Sequence, residues 1–455
     1  MKKILLIGKS GRNDAIADAI ARSLRPKQLY IFSDVMNASL RSKATGVRKG
    51  TSDSRDEVAS YAAEVKPDFA IIGPEEPLFA GIVDLLAEMD IPSVGPTKEL
   101  AQLETSKSFT RRLVSKHRIP GNPEHRIFRS IDGMDSYLRR QGSFVIKPDG
   151  LSSGKGVQVF GEHLKTIEQA IAYSRELFAA GQAAVIVEEK LDGEEFSFQS
   201  FCDGYHVIDT FPIQDHKRAD EGDTGPNTGG MGSYSCENLS LPFLRQEHID
   251  EAHYINQRVC DALRNEFHVP YKGILYGGFM VTKDGLRLIE YNARFGDPEV
   301  MNVLPLLETD FIDICEAIIA GTLDSLPISF KKKAAVCKYV VPEGYPSTPR
   351  TRVAIDLRDV PPQSDQLRVY YGAVEDDGRD GPLLLTGSRA IAMVGIGSDV
   401  AEAERIAEDA ACSVRGPVMH RRDIGSEQLI RRREDHMKAV LASAPLDLPK
   451  INQTA

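Results

Sequence analysis

The chain has 455 residues, 42% hydrophobic and 27% charged, with a formal net charge of −10; that is length for about three domains and material for substantial cores. The acidic balance excludes a broad electrostatic surface for nucleic acid or an anionic membrane, while leaving room for a local basic pocket around a small phosphate. Six scattered cysteines (Cys202, Cys236, Cys260, Cys315, Cys337, Cys412), without CxxC or metal-finger spacing, read as reduced, mostly buried thiols and argue against a structural zinc site.

In chain order, MKKILLIGKSGRN has only four apolar residues between its lysines and the first glycine. That is too short for a signal-peptide core, and no run of roughly 18 apolar residues follows; a cytoplasmic location and no membrane partner are expected. From KKILLIG onward, short apolar runs (QLYIFSD, DFAIIG, IPSVGP) alternate with helix-like stretches (AIADAIARSL, DEVASYAAEVK, AGIVDLLAEM). This pattern predicts a doubly wound parallel sheet over residues 1–104. Ligands of such sheets sit at the carboxyl ends of the strands, here GKSGRND and GPEEPL. After the helical ELAQLETSKSFTRRLVSKH the style becomes α+β: FVIKPDG and GVQVF flank LSSGK, then come helix TIEQAIAYSRELFAA and strands AVIVEEKL and EFSFQSFCDG. A second domain over 105–330 follows from this. Within it, ILYGGFMVTKDGLRLIEYNARFGDPE gives two alternating runs around an Asp-Gly turn, a strong hairpin signal. Residues 331–425 carry short strands (AAVCKYVVP, LRVYYGAV, LLLTG, AIAMVGIG) and one helix, VAEAERIAEDAACSV, a small β-rich C-terminal domain. Residues 426–455 read as a charged helix followed by a frayed tail.

Several stretches carry chemistry. GLSSGKG (150–156) is not a Walker A loop, because only three residues separate its first two glycines and Gly156 follows the lysine. Its small residues still expose successive backbone N–H groups, and Lys155 adds charge, so a hairpin tip folding over phosphate is expected. Lys147, after three apolar residues, has either to reach solvent or to meet an anion. Glu188 and Glu195 in VIVEEKLDGEE stand around a break in the apolar pattern, where backbone groups can read an adenine edge and a carboxylate can accept ribose hydroxyls. In RLIEYNARFGD, alternation places Glu290, Asn292 and Arg294 on one strand face and Ile289 and Tyr291 on the other. A carboxylate and an amide oxygen suit a hard cation bridging phosphates, and the arginine suits an anionic substrate or a transferring phosphoryl group. The polar stretch QDHKRADEGDTGPNTGGMG (214–232) has almost nothing for a core and asks for a ligand.

The order VIKPDGL, SSGKG, VEEKLDGEE, QDHKRADEGDTGPNTGGMG, IEYNARFGDPE and HRRDIG resembles the phosphoribosylamine–glycine ligase family of ATP-grasp enzymes over essentially residues 1–425. The resemblance implies an ATP-grasp fold with a hairpin lid (a lid subdomain about 124–192). It implies ATP and Mg²⁺ or Mn²⁺, and a reaction in which glycine becomes an enzyme-bound glycyl phosphate that 5-phosphoribosylamine attacks, in purine synthesis. Transient contact with other enzymes of that pathway is the one macromolecular partnership it suggests. It also implies roles. Lys107, Lys147 and the lid residues Ser153, Gly154, Lys155 and Gly156 would hold the triphosphate; Glu188 and Leu191 would frame adenine and Glu195 the ribose. Glu290 and Asn292 would be metal ligands, with Arg294, Asp215 and Lys217 catalytic. Gly8, Lys9, Ser10, Gly11, Arg12, Glu75, Asn227, Thr228, Gly229, Gly230 and Asp297 would surround glycine and the ribosyl phosphate, His216 being a hydrogen-bonding spacer. One departure is visible: the family usually shows GNGGREHA where this chain has GKSGRNDA, differing at Lys9, Ser10, Asn13 and Asp14. An ATP-grasp ligase for another amine therefore stays open, as does a nucleotide-binding protein without turnover.

Overall fold

A computed structural model describes residues 1–150, 156–376, 378 and 381–443. The expected lid residues Ser153, Gly154 and Lys155 lie outside the described residues, as does the frayed tail expected beyond residue 443.

The N-terminal region is the doubly wound sheet its alternation predicts. Strands β1 (Lys2–Ile7), β2 (Lys27–Ser33), β3 (Gly46–Lys49), β4 (Phe69–Ile72) and β5 (Ser93–Val94) are parallel in the order β3-β2-β1-β4-β5. Ile4 to Ile7 are fully buried because helices cover both faces, which is why β1 reads as an unbroken apolar run. Those helices are α1 (Gly11–Arg22), α2 (Ala38–Lys43), α3 (Arg55–Val65), α4 (Glu75–Ala80) and α5 (Ile82–Glu88). Strand order reverses between β1 and β4, and there the loops GKSGRND and GPEEPL meet. The approach is close: a Cβ on Gly8, at φ +131°, would lie 2.1 Å from the Pro74 ring, so only glycine fits.

The middle region follows short α6 (Gln102–Thr105) and α7 (Lys107–Lys116). Strands β6 (His125–Phe128), β7 (Phe144–Pro148), β8 (Gln158–Val159) and β9 (Val185–Glu189) form one antiparallel sheet backed by α8 (Met134–Gln141) and α9 (Ile167–Ala179). A second sheet is built on β10 (Gly193–Cys202) and β11 (Val207–Asp209), and on the predicted hairpin of β16 (Gly273–Thr282) and β17 (Gly285–Asn292). The polar stretch between them forms β12 (Gln214–Asp215), a small hairpin of β13 (Arg218–Asp220) with β14 (Thr224–Asn227), and β15 (Gly232–Ser235); α10 (Gln246–Phe267) follows.

After α11 (Val300–Leu306) and α12 (Phe311–Ala320) comes the C-terminal region. Its strands are β18 (Ala334–Pro342), β19 (Ala354–Ile355), β20 (Leu367–Tyr371), β21 (Val374–Glu375), β22 (Leu383–Leu385), β23 (Ile391–Gly397) and β24 (Val418–Met419). Its helix α13 (Val400–Cys412) packs on β18 and β23. The main sheet runs β12-β15-β18-β23-β20, so strands of the middle third are hydrogen-bonded into the C-terminal sheet across the boundary expected at 330. The last helix, α14 (Glu427–Ala442), is no loose appendage: it folds back onto β10 and β16, burying Leu429, Met437 and Val440. Among the described residues no helix is long and apolar enough to cross a membrane. Five of the six cysteines are buried and Cys412 is exposed.

Candidate active site

A chamber of about 900 Å³ opens where the three regions meet. Its wall holds Arg12 and Glu75 from the N-terminal loops, Lys107 and Lys147, Glu195, Asp215, Lys217, Asn227, Thr228 and Gly229, and Glu290, Asn292, Arg294 and Asp297. All were singled out from sequence.

At one end sit the lysines. Lys107 Nζ donates to the Gly150 carbonyl at 2.9 Å, and burial lowers its pKa. Lys147 Nζ is 2.7 Å from Glu188 Oε2, and Arg111 grips the same carboxylate with Nε and Nη2 at 2.7 and 3.0 Å. Burial works against charge on Glu188, but Arg111 and then Lys147 outweigh it and hold the carboxyl near about 2. Glu188 therefore aims Lys147, and neither its side chain nor Leu191 is in the chamber wall. Val157, Val159, Met280 and Ile289 give this end apolar surface.

In the centre, Glu290 Oε1 is 3.7 Å from Lys217 Nζ, which is also 3.6 Å from Glu195 Oε2. Burial disfavours the Glu290 carboxylate, yet Lys217, Lys107 and Lys147 together keep its pKa below the ordinary value. The same carboxylates, Glu195 first, overcome burial and raise Lys217. Strand β17 is not regular here. Gly278 pairs with Glu290 and Phe279 with Leu288, leaving Ile289 as the extra residue of a bulge, so Ile289 joins the wall beside Glu290 instead of sharing the opposite face with Tyr291. Tyr291 also borders the chamber, while its hydroxyl donates away from it, to Asn256 Oδ1 at 2.9 Å. Arg294 donates to Asn292 Oδ1 at 3.1 Å and lies between Glu75 (3.1 Å) and Glu104 (2.9 Å). Burial pushes Glu104 up to about 7 despite Arg294; Glu75, where Arg294 and Arg12 prevail over burial, falls to about 2.

At the far end, Arg12 donates to the Gly73 carbonyl at 2.9 Å and faces Glu75 at 3.4 Å, while its buried Nε has no partner. Asp297 accepts from the Tyr339 hydroxyl at 2.6 Å. Asp215 keeps a buried, unpartnered Oδ1, and burial followed by Glu299 raises its pKa well above the carboxylate range. Gly230 sits just behind the wall: at φ +108°, with a Cβ that would be 2.6 Å from Asp215 Oδ1 and from Pro298, no other residue fits. Gly8, Lys9, Ser10, Gly11 and Gly156 also lie outside the wall. Lys9 pairs at the surface with Glu76 at 3.5 Å, and the Gly156 carbonyl accepts from Tyr173. His216 is buried beneath the hairpin, 3.3 Å from Asp223, with its pKa lowered by burial.

Sequence reading missed several arginines in the wall, Arg111 as well as Arg389 and Arg433. Arg389 Nη1 donates to the carbonyls of Gly229, Gly230 and Asp297 at 2.6, 3.1 and 2.7 Å; in TGSRA it looked like any loop arginine. Arg433, on α14, pairs with Glu194 at 3.0 Å and with Asp223. Arg421, in the motif HRRDIG, holds the same Asp223 at 2.8 Å.

Models of the phosphoribosylglycinamide synthetase family match the chain three times: the N domain at residues 2–104, the ATP-grasp (A) domain at 105–300 and the C domain at 335–427. A phosphoribosylamine–glycine ligase of Methanocella arvoryzae is 43% identical over 438 residues, covering 96% of this chain and 99% of the relative. The chain belongs to this family. A crystal structure of the phosphoribosylamine–glycine ligase from Thermotoga maritima superposes with a TM-score of 0.77 at 26% identity, covering 93% of this chain and all of that one. The biotin carboxylase domain of the Hydrogenobacter thermophilus 2-oxoglutarate carboxylase, solved with MgADP and bicarbonate, shares the fold alone. Its TM-score is 0.71 at 14% identity, covering 96% of this chain and 94% of that chain. The chamber thus lies in a phosphoribosylglycinamide synthetase scaffold, at the junction of all three family domains.

Proposed function

We propose that the reaction of this ATP-grasp carbon–nitrogen ligase, the ATP-dependent joining of glycine to 5-phosphoribosylamine in purine synthesis, runs through glycyl phosphate held in the chamber. A carboxylate is a poor electrophile. Its oxygen attacks the terminal phosphorus of ATP as the bond to ADP breaks; the amine nitrogen then attacks the activated carbonyl carbon and phosphate leaves, giving glycinamide ribonucleotide. Catalysis of this kind rests on positioning and charge neutralisation.

The observation that carries the reading is the arrangement around β17. Glu290 and Asn292 line a chamber whose wall also carries Lys107, Lys147, Arg12 and Arg294. Two hard oxygen donors ringed by cations fit a divalent ion bound together with polyphosphate, because the cations alone would repel the ion. Such an ion, Mg²⁺ or Mn²⁺ held by Glu290 and Asn292, would neutralise charge on the phosphates. Around it, Lys107 and Lys147 bind phosphate oxygens, the apolar end seats the base, and Glu195 accepts from the ribose. Lys217, kept charged by its carboxylate neighbours, and Arg294 stabilise the phosphoryl group in transit. Asp215, with its unpartnered oxygen beside Glu299, meets the glycine ammonium. Arg12, whose Nε lacks a partner, takes the ribosyl phosphate.

Of the four departures at GKSGRNDA, Lys9 and Asp14 stand outside the chamber wall. Lys9 lies at the surface, and Asp14 is committed to Lys43, to the Ser39 hydroxyl at 2.8 Å and to the Tyr371 amide at 2.7 Å. Lys9 reaches the wall only through Glu76. In a coupled assay, ADP release is expected to require both glycine and freshly made phosphoribosylamine. Release with glycine and a different amine would redirect the reading, and ATP binding without ADP would reject turnover. Glu290→Ala is expected to lower kcat by about 10²-fold or more; an unaltered rate removes Glu290 from the site.

A further inference from the structure

Outside the chamber, α13 and the turn beyond β24 bring together three side chains that ligate metals. Glu408 and Cys412 lie one turn apart on α13, and His420 follows β24. Cys412 Sγ is 3.3 Å from Glu408 Oε1 and 4.0 Å from His420 Nε2, and His420 Nε2 is 3.1 Å from Glu408 Oε2. In a tetrahedral zinc site, bonds of about 2.3 Å to sulfur and 2.0–2.1 Å to nitrogen or oxygen put ligand atoms roughly 3.3–3.6 Å apart. Glu408 reaches Cys412 with Oε1 and His420 with Oε2, and one ligand atom from each of the three residues lies within 4.8 Å of the others, so small side-chain rotations bring the three to zinc spacing.

The surroundings suit a cation. Lys338 Nζ, fully buried, donates to Glu404 at 2.6 Å, to Glu408 at 2.7 Å and to the Arg422 carbonyl at 2.7 Å, which fixes the Glu408 carboxylate as an outer partner fixes a metal ligand. One lysine against two glutamates leaves the group a single negative charge; a divalent ion with Cys412 as thiolate brings it to neutrality. Arg422, 3.7 Å from Glu408 and exposed, can turn to water. The exposed Cys412 gives entry from solvent. Alternation along β18 keeps this cluster apart from the chamber: Tyr339 reaches Asp297 on one face, Lys338 reaches α13 on the other.

We propose that Glu408, Cys412 and His420 form a site for a thiophilic divalent transition metal of the zinc class, with three protein ligands and the fourth position open to solvent, tying the end of α13 to the strand that leads into α14. It contradicts the expectation drawn from cysteine spacing, because the Glu-x3-Cys-x7-His pattern has only one cysteine and gains its third ligand through the sheet.

The test uses the full chain, stripped with chelator and titrated with Co²⁺. A thiolate-to-cobalt charge-transfer band saturating at one equivalent, displaced by Zn²⁺ and lost in Cys412→Ser and His420→Ala, is the expected result. An ion at Glu290 and Asn292 has only oxygen ligands and produces no such band, so the two sites are distinguished. Zn²⁺ is also expected to raise Tm of the wild-type chain by a few degrees and that of Cys412→Ser not at all, with the ligation rate of that variant unchanged as evidence of folding. No band in the wild-type chain, or a band that survives Cys412→Ser, overturns the proposal, as does an equal rise of Tm in both proteins.

Discussion

Glu188 illustrates how a single buried carboxylate prepares a binding site without entering it. Its two oxygens are taken up by Arg111 and Lys147, so Glu188→Ala leaves two cations without their counter-charge and is expected to cost about 3–5 kcal/mol of stability, read from urea midpoints. The sign of its pH dependence follows from the lowered carboxyl, near about 2 in the folded chain. The stabilisation is fully present above the ordinary glutamate range of about 4.3 and is lost as pH falls through that value towards about 2. Between pH 5 and 2 the wild-type midpoint should therefore fall more steeply than that of Glu188→Gln. At this scale the sequence was informative where one residue's chemistry is restrictive. A lysine behind three apolar residues has either to reach solvent or to meet an anion, and Lys147 meets Glu188. It was silent on Glu104, whose pKa of about 7 arises because folding buries it, against the opposing pull of Arg294.

Among the elements, β17 and α14 decide the site. The alternation of RLIEYNARFG foretold that Glu290 and Asn292 share a face, and the bulge at Ile289 escaped it because a bulge is a property of two paired strands, visible only in the register of β16 against β17. The sequence shows α14 only as a charged helix for a related reason: its arginines look solvated until Glu194 and Asp223, more than two hundred residues away, come opposite. Arg433→Ala leaves Glu194, only 1% exposed, with His436 and Gln214 as its remaining side-chain partners. A loss of about 1–3 kcal/mol is expected, with faster amide exchange in the β13–β14 hairpin; unchanged exchange there would show that Arg433 does not hold it.

For the whole molecule, the chamber exists only when all three regions are assembled, so its ligands should stabilise the assembled state. ATP with Mg²⁺ at a hundred times Kd is expected to add about 2.7 kcal/mol, seen as a rise in Tm. Lys147→Ala should remove that rise, whereas Arg389→Ala should preserve it and instead raise the apparent KM for the ribosyl substrate. A thermal shift lost equally in both variants would show that the two ends of the chamber do not bind separately.

The chain's own order of residues determined the alternation of buried strands and covering helices, the Asp-Gly hairpin, and a polar segment unsuited to a core, because each rests on periodicity or on local turn chemistry. Tertiary structure alone decided that β12 and β15 join the C-terminal sheet, that Arg389 and Arg433 face the chamber, and that Glu408, Cys412 and His420 converge. Those outcomes depend on which distant surfaces pack together, and a side chain's charge gives no hint of the partner that packing will set opposite it.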